Sequence, residues 1–156
     1  MGTLTKVSIA FIATFCAGLL GTLFVDSSTT SWYTTLIKPA LNPPPVTFGV
    51  AWTVLYFLMA LALSIVWVKK PLTSLAAGWV RFYFIQLLFN AAWTIFFFGF
   101  HSILVAFVDI LFLGFMLLCL IIAAAEIDRR ASYLLAPSLL WVLFAGYLNL
   151  SIWLLN

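Results

Sequence analysis

Charge is the scarcest property of this chain: 7% of its 156 residues are Asp, Glu, Lys or Arg, whereas 66% are hydrophobic. A water-soluble domain of this length covers its surface with charged side chains, so the composition excludes one. The net charge of +3 comes without a basic domain that could bind nucleic acid. Histidine occurs once, and the two cysteines, Cys16 and Cys119, lie inside apolar runs. We therefore expect no disulfide framework and no metal site.

Long apolar runs take the place of charged surface. A membrane-spanning helix needs roughly 20 apolar residues, because the hydrocarbon core is about 30 Å thick. Five runs qualify, at residues 7–25, 47–68, 80–100, 102–125 and 132–155. They predict an all-α, integral membrane bundle of five transmembrane helices in contact with membrane lipids, forming one domain over residues 1–156. The first run is longer than the apolar core of a signal peptide, so we expect it to be retained as a helix.

The basic residues predict how the bundle is oriented. With five spans, six of the seven fall on the side of the amino terminus: Lys6, Lys69, Lys70, Arg81, Arg129 and Arg130. Lys38 alone falls on the other side. The positive-inside rule then places the amino terminus in the cytoplasm and the first loop and carboxyl terminus outside. Helical spans with this bias favour a bacterial cytoplasmic membrane.

Tryptophan-bearing stripes mark the helix faces that we expect to point inward. In the third run, residues at helical spacing form the stripe Gln86, Asn90, Trp93 and Phe97. Similar stripes occur in the second and fifth runs: Trp52, Tyr56, Met59 and Leu63, and Trp141, Ala145, Leu148 and Ile152. Each stripe alone also fits ordinary packing or an amide hydrogen bond between helices. Three stripes at comparable depth favour an apolar cavity for a flat, hydrophobic ligand.

Two titratable residues and one set of small residues leave alternatives open. Asp109 lies inside the fourth run, where we expect it to hydrogen-bond a neighbouring helix, with a functional role as the alternative. His101, in the turn before that run, is expected at the membrane interface, with axial haem ligation as the alternative. Ala13, Ala17 and Gly21 allow close approach of helices, either within the bundle or between subunits.

Five segments carry a resemblance to a known family. They are WYTTLIKPALNPPP before the second run, AWTVLYFLMALA within it, QLLFNAAWTIFFFG in the third, VAFVDILFL in the fourth and LLAPSLLWVLFAGYLN in the fifth. In these segments the chain resembles the TspO/translocator-protein family, also called tryptophan-rich sensory proteins and peripheral benzodiazepine receptors. The resemblance implies a five-helix bundle, commonly a homodimer, with a ligand pocket in each subunit. The first loop, residues 26–46, would be the lid of that pocket, stiffened by its prolines.

The resemblance also implies a ligand and a set of site residues. Family members bind porphyrins such as protoporphyrin IX and haem, so we expect a sensor or translocator for flat apolar ligands that requires no cofactor. The ligand-binding residues implied are Tyr33, Pro43, Trp52, Tyr56, Gln86, Asn90, Trp93, Phe97, Trp141, Phe144, Ala145 and Leu148. Among them, Trp52 and Trp141 are expected to flank the porphyrin.

Other functions stay open beside ligand binding. Light-dependent porphyrin breakdown, proposed for family members, would make the protein an enzyme with Trp52 and Trp141 as its catalytic candidates. No Ser/His/Asp set or paired carboxylates at membrane depth suggest enzyme activity in the dark. An ion-coupled transporter is disfavoured, because the spans contain one acid and no inverted repeat. The cholesterol pattern of the animal members is not matched, since no basic residue follows Tyr147.

Overall fold

A computed structural model describes residues 1–25, 27–69 and 72–156, with residues 27–30 described by their backbone only. The regular elements in these ranges are α1 (Thr3–Thr22), α2 (Ser27–Thr35), α3 (Pro45–Val68), α4 (Ser74–Thr94) with a π-helical turn (Ile95–Gly99), α5 (Ile103–Ile127) and α6 (Arg129–Leu155). Five helices are long and apolar enough to cross a membrane: α1, α3, α4 with its π-helical turn, α5 and α6. The predicted five-helix, all-α membrane bundle is confirmed.

The helices pack around two apolar cores, one in each half of the bundle. The most extensive contact joins α5 to α6, while α1 packs on α3 and α4, and α3 also contacts α6. A core around Met59, Leu63 and Tyr83 fills the half that contains the start of α4. A second core around Trp93 and Phe97 fills part of the other half, where α2 lies against the π-helical turn. The candidate site lies in this second half.

Capping residues extend two helices beyond the predicted bounds. The helix predicted from residue 80 begins at Ser74, because the Thr73 hydroxyl accepts a hydrogen bond from the Ala76 N–H at 3.2 Å. The helix predicted from residue 132 begins at Arg129, where the Asp128 carboxylate accepts from the Arg130 N–H at 3.0 Å. A count of apolar residues does not register such polar caps.

The predicted lid contains a helix that the sequence did not indicate. Residues 27–35 form α2, although their sequence SSTTSWYTT is rich in hydroxyl residues that compete with the helical backbone. Packing stabilises α2: the Trp32 ring stacks on the His101 ring with centroids 4.1 Å apart and meets Phe97 edge-on. Tertiary contact therefore overrides a weak local preference.

The π-helical turn ends α4 at the site. The Phe100 N–H donates to the Ile95 carbonyl at 2.9 Å, a spacing of five residues instead of four. His101 follows with a φ of 51°, in the left-handed region that a non-glycine residue adopts in tight turns. The wider turn lets the consecutive residues Phe97 and Phe98 both face the cavity described next.

Candidate ligand-binding site

A cavity of about 590 Å³ lies among α1, α3, the end of α4 and α6, beneath the lid. Its volume is in the usual range of small-molecule pockets, roughly 300–1,000 Å³. Residues from all three predicted stripes and from the lid line it: Tyr33, Trp52, Tyr56, Trp93, Phe97, Ala145 and Leu148. Periodicity in the sequence thus identified faces that meet in one cavity.

Aromatic rings form much of the cavity wall. The Trp52 ring stacks on Tyr56 with centroids 5.6 Å apart and lies 6.4 Å from the Trp93 ring. Trp93 in turn stacks on Phe97 at 5.5 Å. These contacts fix the rings before any ligand arrives, so the wall is preorganised.

Two amides orient the aromatic residues of the wall: Asn90 lies behind it and Asn149 is part of it. The Tyr56 hydroxyl donates to the Asn90 Oδ1 at 2.6 Å, and the Trp93 Nε1 donates to the Asn149 Oδ1 at 3.1 Å. Asn149 is itself held, because its Nδ2 donates to the Ile103 carbonyl at 2.8 Å. The polar groups of the second half of the bundle thus position tryptophan and tyrosine rings against an otherwise apolar space.

The lid contributes one wall and is braced internally. The Tyr33 hydroxyl donates to the Asn42 Oδ1 at 3.1 Å, and both residues line the cavity. The Lys38 ammonium lies 4.6 Å from the centre of the Tyr33 ring, a cation–π distance. Partial burial of Tyr33 raises the pKa of its phenol above the ordinary value, so the hydroxyl stays protonated and able to donate at neutral pH.

Five predicted site residues do not line the cavity: Pro43, Gln86, Asn90, Trp141 and Phe144. Asn90 stands behind Tyr56, and its Nδ2 has no hydrogen-bond partner among the described residues. Gln86, one helical turn farther from the cavity, is fully buried, and within the same described ranges neither of its amide atoms has a partner. Pro43 follows the wall residue Asn42 in the lid.

Trp141 was expected to flank the ligand together with Trp52, but it does not line the cavity. The Phe48 ring lines the cavity and meets the Trp141 ring edge-on at 5.9 Å, so Phe48 separates Trp141 from the space. Phe144 packs on the far side of Trp141, with centroids 5.6 Å apart. The cavity tryptophans in this conformation are Trp52 and Trp93. Helical spacing predicted the face of α6 that lines the cavity, with Ala145, Leu148 and Ile152. It could not predict that Phe48 would lie between Trp141 and the space, because that depends on side-chain packing.

Helix α1 also lines the cavity, although its sequence contains no tryptophan and the stripes did not predict it. Phe15, Gly18, Leu19 and Thr22 line the cavity from α1. A Cβ at Gly18 would lie 2.3 Å from the Tyr56 ring, so the missing side chain is what lets the α1 backbone approach Tyr56. Other wall residues absent from the prediction, Phe98 and Asn149, adjoin predicted ones on the same elements.

The cavity is open on one side. The wall residues Leu19 and Thr22 of α1 and Gly49 and Thr53 of α3 are exposed, so the opening lies between these two helices. Both helices are long and apolar enough to cross a membrane.

The two titratable residues of the neighbouring turn and helix lie outside the cavity wall. Asp109 is buried on α5, and in the part of the chain that the structure describes no group donates to its Oδ2, so the expected bond from a neighbouring helix is not found at that atom. His101 occupies the turn before α5, as expected, and its ring is covered by Trp32. This stacking is a structural role for His101 that the sequence did not suggest.

Comparison with known proteins agrees with the geometry. The model of the TspO/MBR family matches residues 9–154. A tryptophan-rich protein TspO from Chlorobaculum tepidum is 38% identical over 89% of this chain and 88% of its own length. One from Archaeoglobus fulgidus is 36% identical over 97% of both chains. A translocator protein from Ovis aries is 33% identical over 87% of this chain and 81% of its own.

Proposed function

The chain belongs to the TspO/MBR family of membrane proteins, and from that premise we propose that it binds porphyrins, such as protoporphyrin IX and haem, and similar flat apolar ligands as a sensor or translocator. The observation that carries the proposal is the cavity of about 590 Å³ with Trp52, Trp93 and Phe97 in its wall. Flat aromatic ligands gain from offset stacking and from burial of their apolar faces against such rings.

The opening between α1 and α3 supports a ligand that reaches the site through the bilayer. A porphyrin is a largely apolar macrocycle with polar groups at its edge. Its apolar body would lie against the tryptophans, while Tyr33 and Asn42 bring a hydroxyl and an amide to the wall of the same cavity. A few polar groups in an apolar wall are typical of sites that orient such ligands.

Titration of the detergent-purified protein with protoporphyrin IX in the dark tests this function. We expect saturable quenching of tryptophan fluorescence, because Trp52 and Trp93 would lie against the bound macrocycle. The controls are detergent micelles without protein and a membrane protein of unrelated fold at the same tryptophan concentration. Quenching that rises linearly with porphyrin and matches the controls would refute the proposal.

Light-dependent breakdown of the bound porphyrin is a second candidate, favoured by the position of Trp52 on the cavity wall. A photoexcited porphyrin would accept an electron from the adjacent indole, which leaves a porphyrin radical anion and an indole radical cation. Dissolved molecular oxygen would then accept the electron and supply the oxidant that breakdown of the macrocycle requires. Illumination of the saturated complex would then bleach the porphyrin spectrum faster than in micelles, and Trp52→Phe would remove the difference. A spectrum equally stable with and without protein would leave binding as the function.

We also propose the orientation that the basic residues predict, in a bacterial cytoplasmic membrane. Two contacts support a shared side for these residues: the Lys6 ammonium donates to the Trp67 carbonyl at 2.7 Å, and that of Lys69 donates to the Ile127 carbonyl. Lys70 lies outside the described residues.

A homodimer, which we also propose, would need a contact surface other than Ala17 and Gly21, because both are buried inside the bundle.

A further inference from the structure

The Asn156 side chain joins the lid to the last helix. The Asn156 Oδ1 accepts a hydrogen bond from the Ile37 N–H at 3.0 Å, and the Asn156 Nδ2 donates to the Ile37 carbonyl, also at 3.0 Å. One side-chain amide therefore pairs with both backbone groups of one lid residue, as a neighbouring strand would. The two residues are 119 positions apart in the sequence.

The Asn156 amide is held in place on its own helix. Its Nδ2 also donates to the Ile152 carbonyl at 2.8 Å, one helical turn earlier in α6. This bond within α6 restricts the amide before it meets the lid, so the side chain loses less freedom when it pairs with Ile37. Ile152 is itself a wall residue of the cavity.

Ile37 lies at the centre of the lid segment that forms a cavity wall. It is flanked in sequence by Tyr33 and Asn42, which line the cavity and are joined by their own hydrogen bond at 3.1 Å. Holding Ile37 therefore holds both wall residues. The Ile37 side chain is exposed, so its apolar packing cannot supply the same restraint.

We propose that Asn156 is a positioning residue: its amide fastens the lid to α6, keeps Tyr33 and Asn42 at the cavity wall, and slows release of the ligand past the lid. The last part rests on the porphyrin-binding function proposed above. Asn156 does not line the cavity, so its effect on ligand would pass through the lid.

Hydrogen exchange at the Ile37 amide tests the tie without any ligand. In Asn156→Ala this N–H loses its acceptor, and we expect it to exchange about tenfold faster, the factor that corresponds to loss of about 1.4 kcal/mol. Leu154→Ala, an exposed truncation on the same last turn, should leave the rate unchanged. Equal exchange in wild type and Asn156→Ala would overturn the proposal.

Stopped-flow release of protoporphyrin IX tests the consequence for ligand. We expect the dissociation rate constant of Asn156→Ala to rise about fivefold, in a variant that circular dichroism shows to be folded, and to stay unchanged in Leu154→Ala. Faster Ile37 exchange with unchanged release would refute the role in ligand retention and indicate departure between α1 and α3. If wild type binds no porphyrin, the porphyrin function fails, while the exchange result still decides whether Asn156 holds the lid.

Discussion

Individual side chains decide which tryptophan can reach a ligand. Trp52 lines the cavity, whereas Phe48 separates Trp141 from it. We expect Trp52→Phe to weaken protoporphyrin binding about fivefold, roughly 1 kcal/mol, because stacking area is lost. The porphyrin absorption band gives the dissociation constant without depending on tryptophan fluorescence.

Trp141→Phe is the matched control, since it removes an indole from the same bundle at a position behind the wall. Its dissociation constant should stay within about twofold of wild type. A larger effect for Trp141→Phe than for Trp52→Phe would show that Phe48 moves aside and that the ligand contacts Trp141 as the sequence suggested.

Gly18 allows the close contact between α1 and the cavity wall. A Cβ at this position would lie 2.3 Å from the Tyr56 ring, which is held by stacking on Trp52 and by its bond to Asn90. Gly18→Ala should therefore lower the free energy of unfolding by about 1–3 kcal/mol, as overpacking does. Thermal melting in detergent measures the change.

Gly78 offers the opposite case within α4, because nothing lies within 4 Å of a Cβ there. Gly78→Ala should raise the free energy of unfolding by about 0.5–1 kcal/mol, the usual gain in a helix interior. The same sign for both variants would contradict the contact assigned to Gly18.

The sequence predicted those cavity residues that are aromatic and recur at helical spacing. Trp52, Tyr56, Trp93 and Phe97 were predicted to face inward, and all four line the cavity. Gly18 could not be predicted as a wall residue in this way, because a glycine in a helix indicates close packing but does not indicate which residue packs against it. The partner becomes visible only when α1 is packed on α3.

The junction between α5 and α6 depends on one carboxylate. Asp128 accepts hydrogen bonds from the side chain and N–H of Arg130 and forms an ion pair with Lys69 at 3.2 Å. The bond from the Arg130 side chain is the largest cause that holds the pKa of Asp128 well below its usual range, and the Arg130 N–H and Lys69 add to it. The carboxylate is therefore more stable in the folded than in the unfolded chain.

Asp128→Asn should lower the melting temperature at pH 7 by about 2–4 °C, because it weakens the cap of α6 and removes the ion pair. A lowered folded-state pKa stabilises the fold fully above the unfolded value of about 3.9, and that contribution fades as the pH falls further. The difference from wild type should thus be constant above about pH 5 and shrink below about pH 4.

Glu126→Gln removes an exposed carboxylate two residues earlier and is the control for a general effect of charge. Its melting temperature should follow that of wild type across the same pH range. A difference for Asp128→Asn that grows on acidification would contradict the assignment.

The sequence predicted the helices that consist of long apolar runs, and it did not predict the short polar helix α2. The five spans were found because lipid requires long apolar runs. The helix α2 was missed, since its hydroxyl-rich sequence favours turns and its order comes from the contact of Trp32 with His101. Caps such as Thr73 and Asp128 were recognisable residue types, but the hydropathy argument gave them no weight.

The bundle as a whole has two apolar cores, and the candidate cavity adjoins the core around Trp93 and Phe97. The order and number of spans followed from the apolar runs, whereas the opening between α1 and α3 depends on how these two helices pack, which no residue pattern specifies. The residues of α1 at this opening, Leu19 and Thr22, are ordinary side chains. The location of the cavity was therefore predictable, but its shape was not.

Filling the cavity tests its role in ligand binding most directly. Ala145 lines the space, so the ring in Ala145→Phe would occupy volume that a ligand needs. Leu143→Phe adds a ring on the exposed face of the same helix and serves as the control. Circular dichroism and thermal melting verify that both variants fold.

The deciding measurement is the dissociation constant of protoporphyrin IX for these two variants and wild type, in the dark. If the cavity is the binding site, saturable binding is lost or weakened at least tenfold in Ala145→Phe and unchanged in Leu143→Phe. Wild-type affinity in a folded Ala145→Phe would place the porphyrin elsewhere and contradict the account.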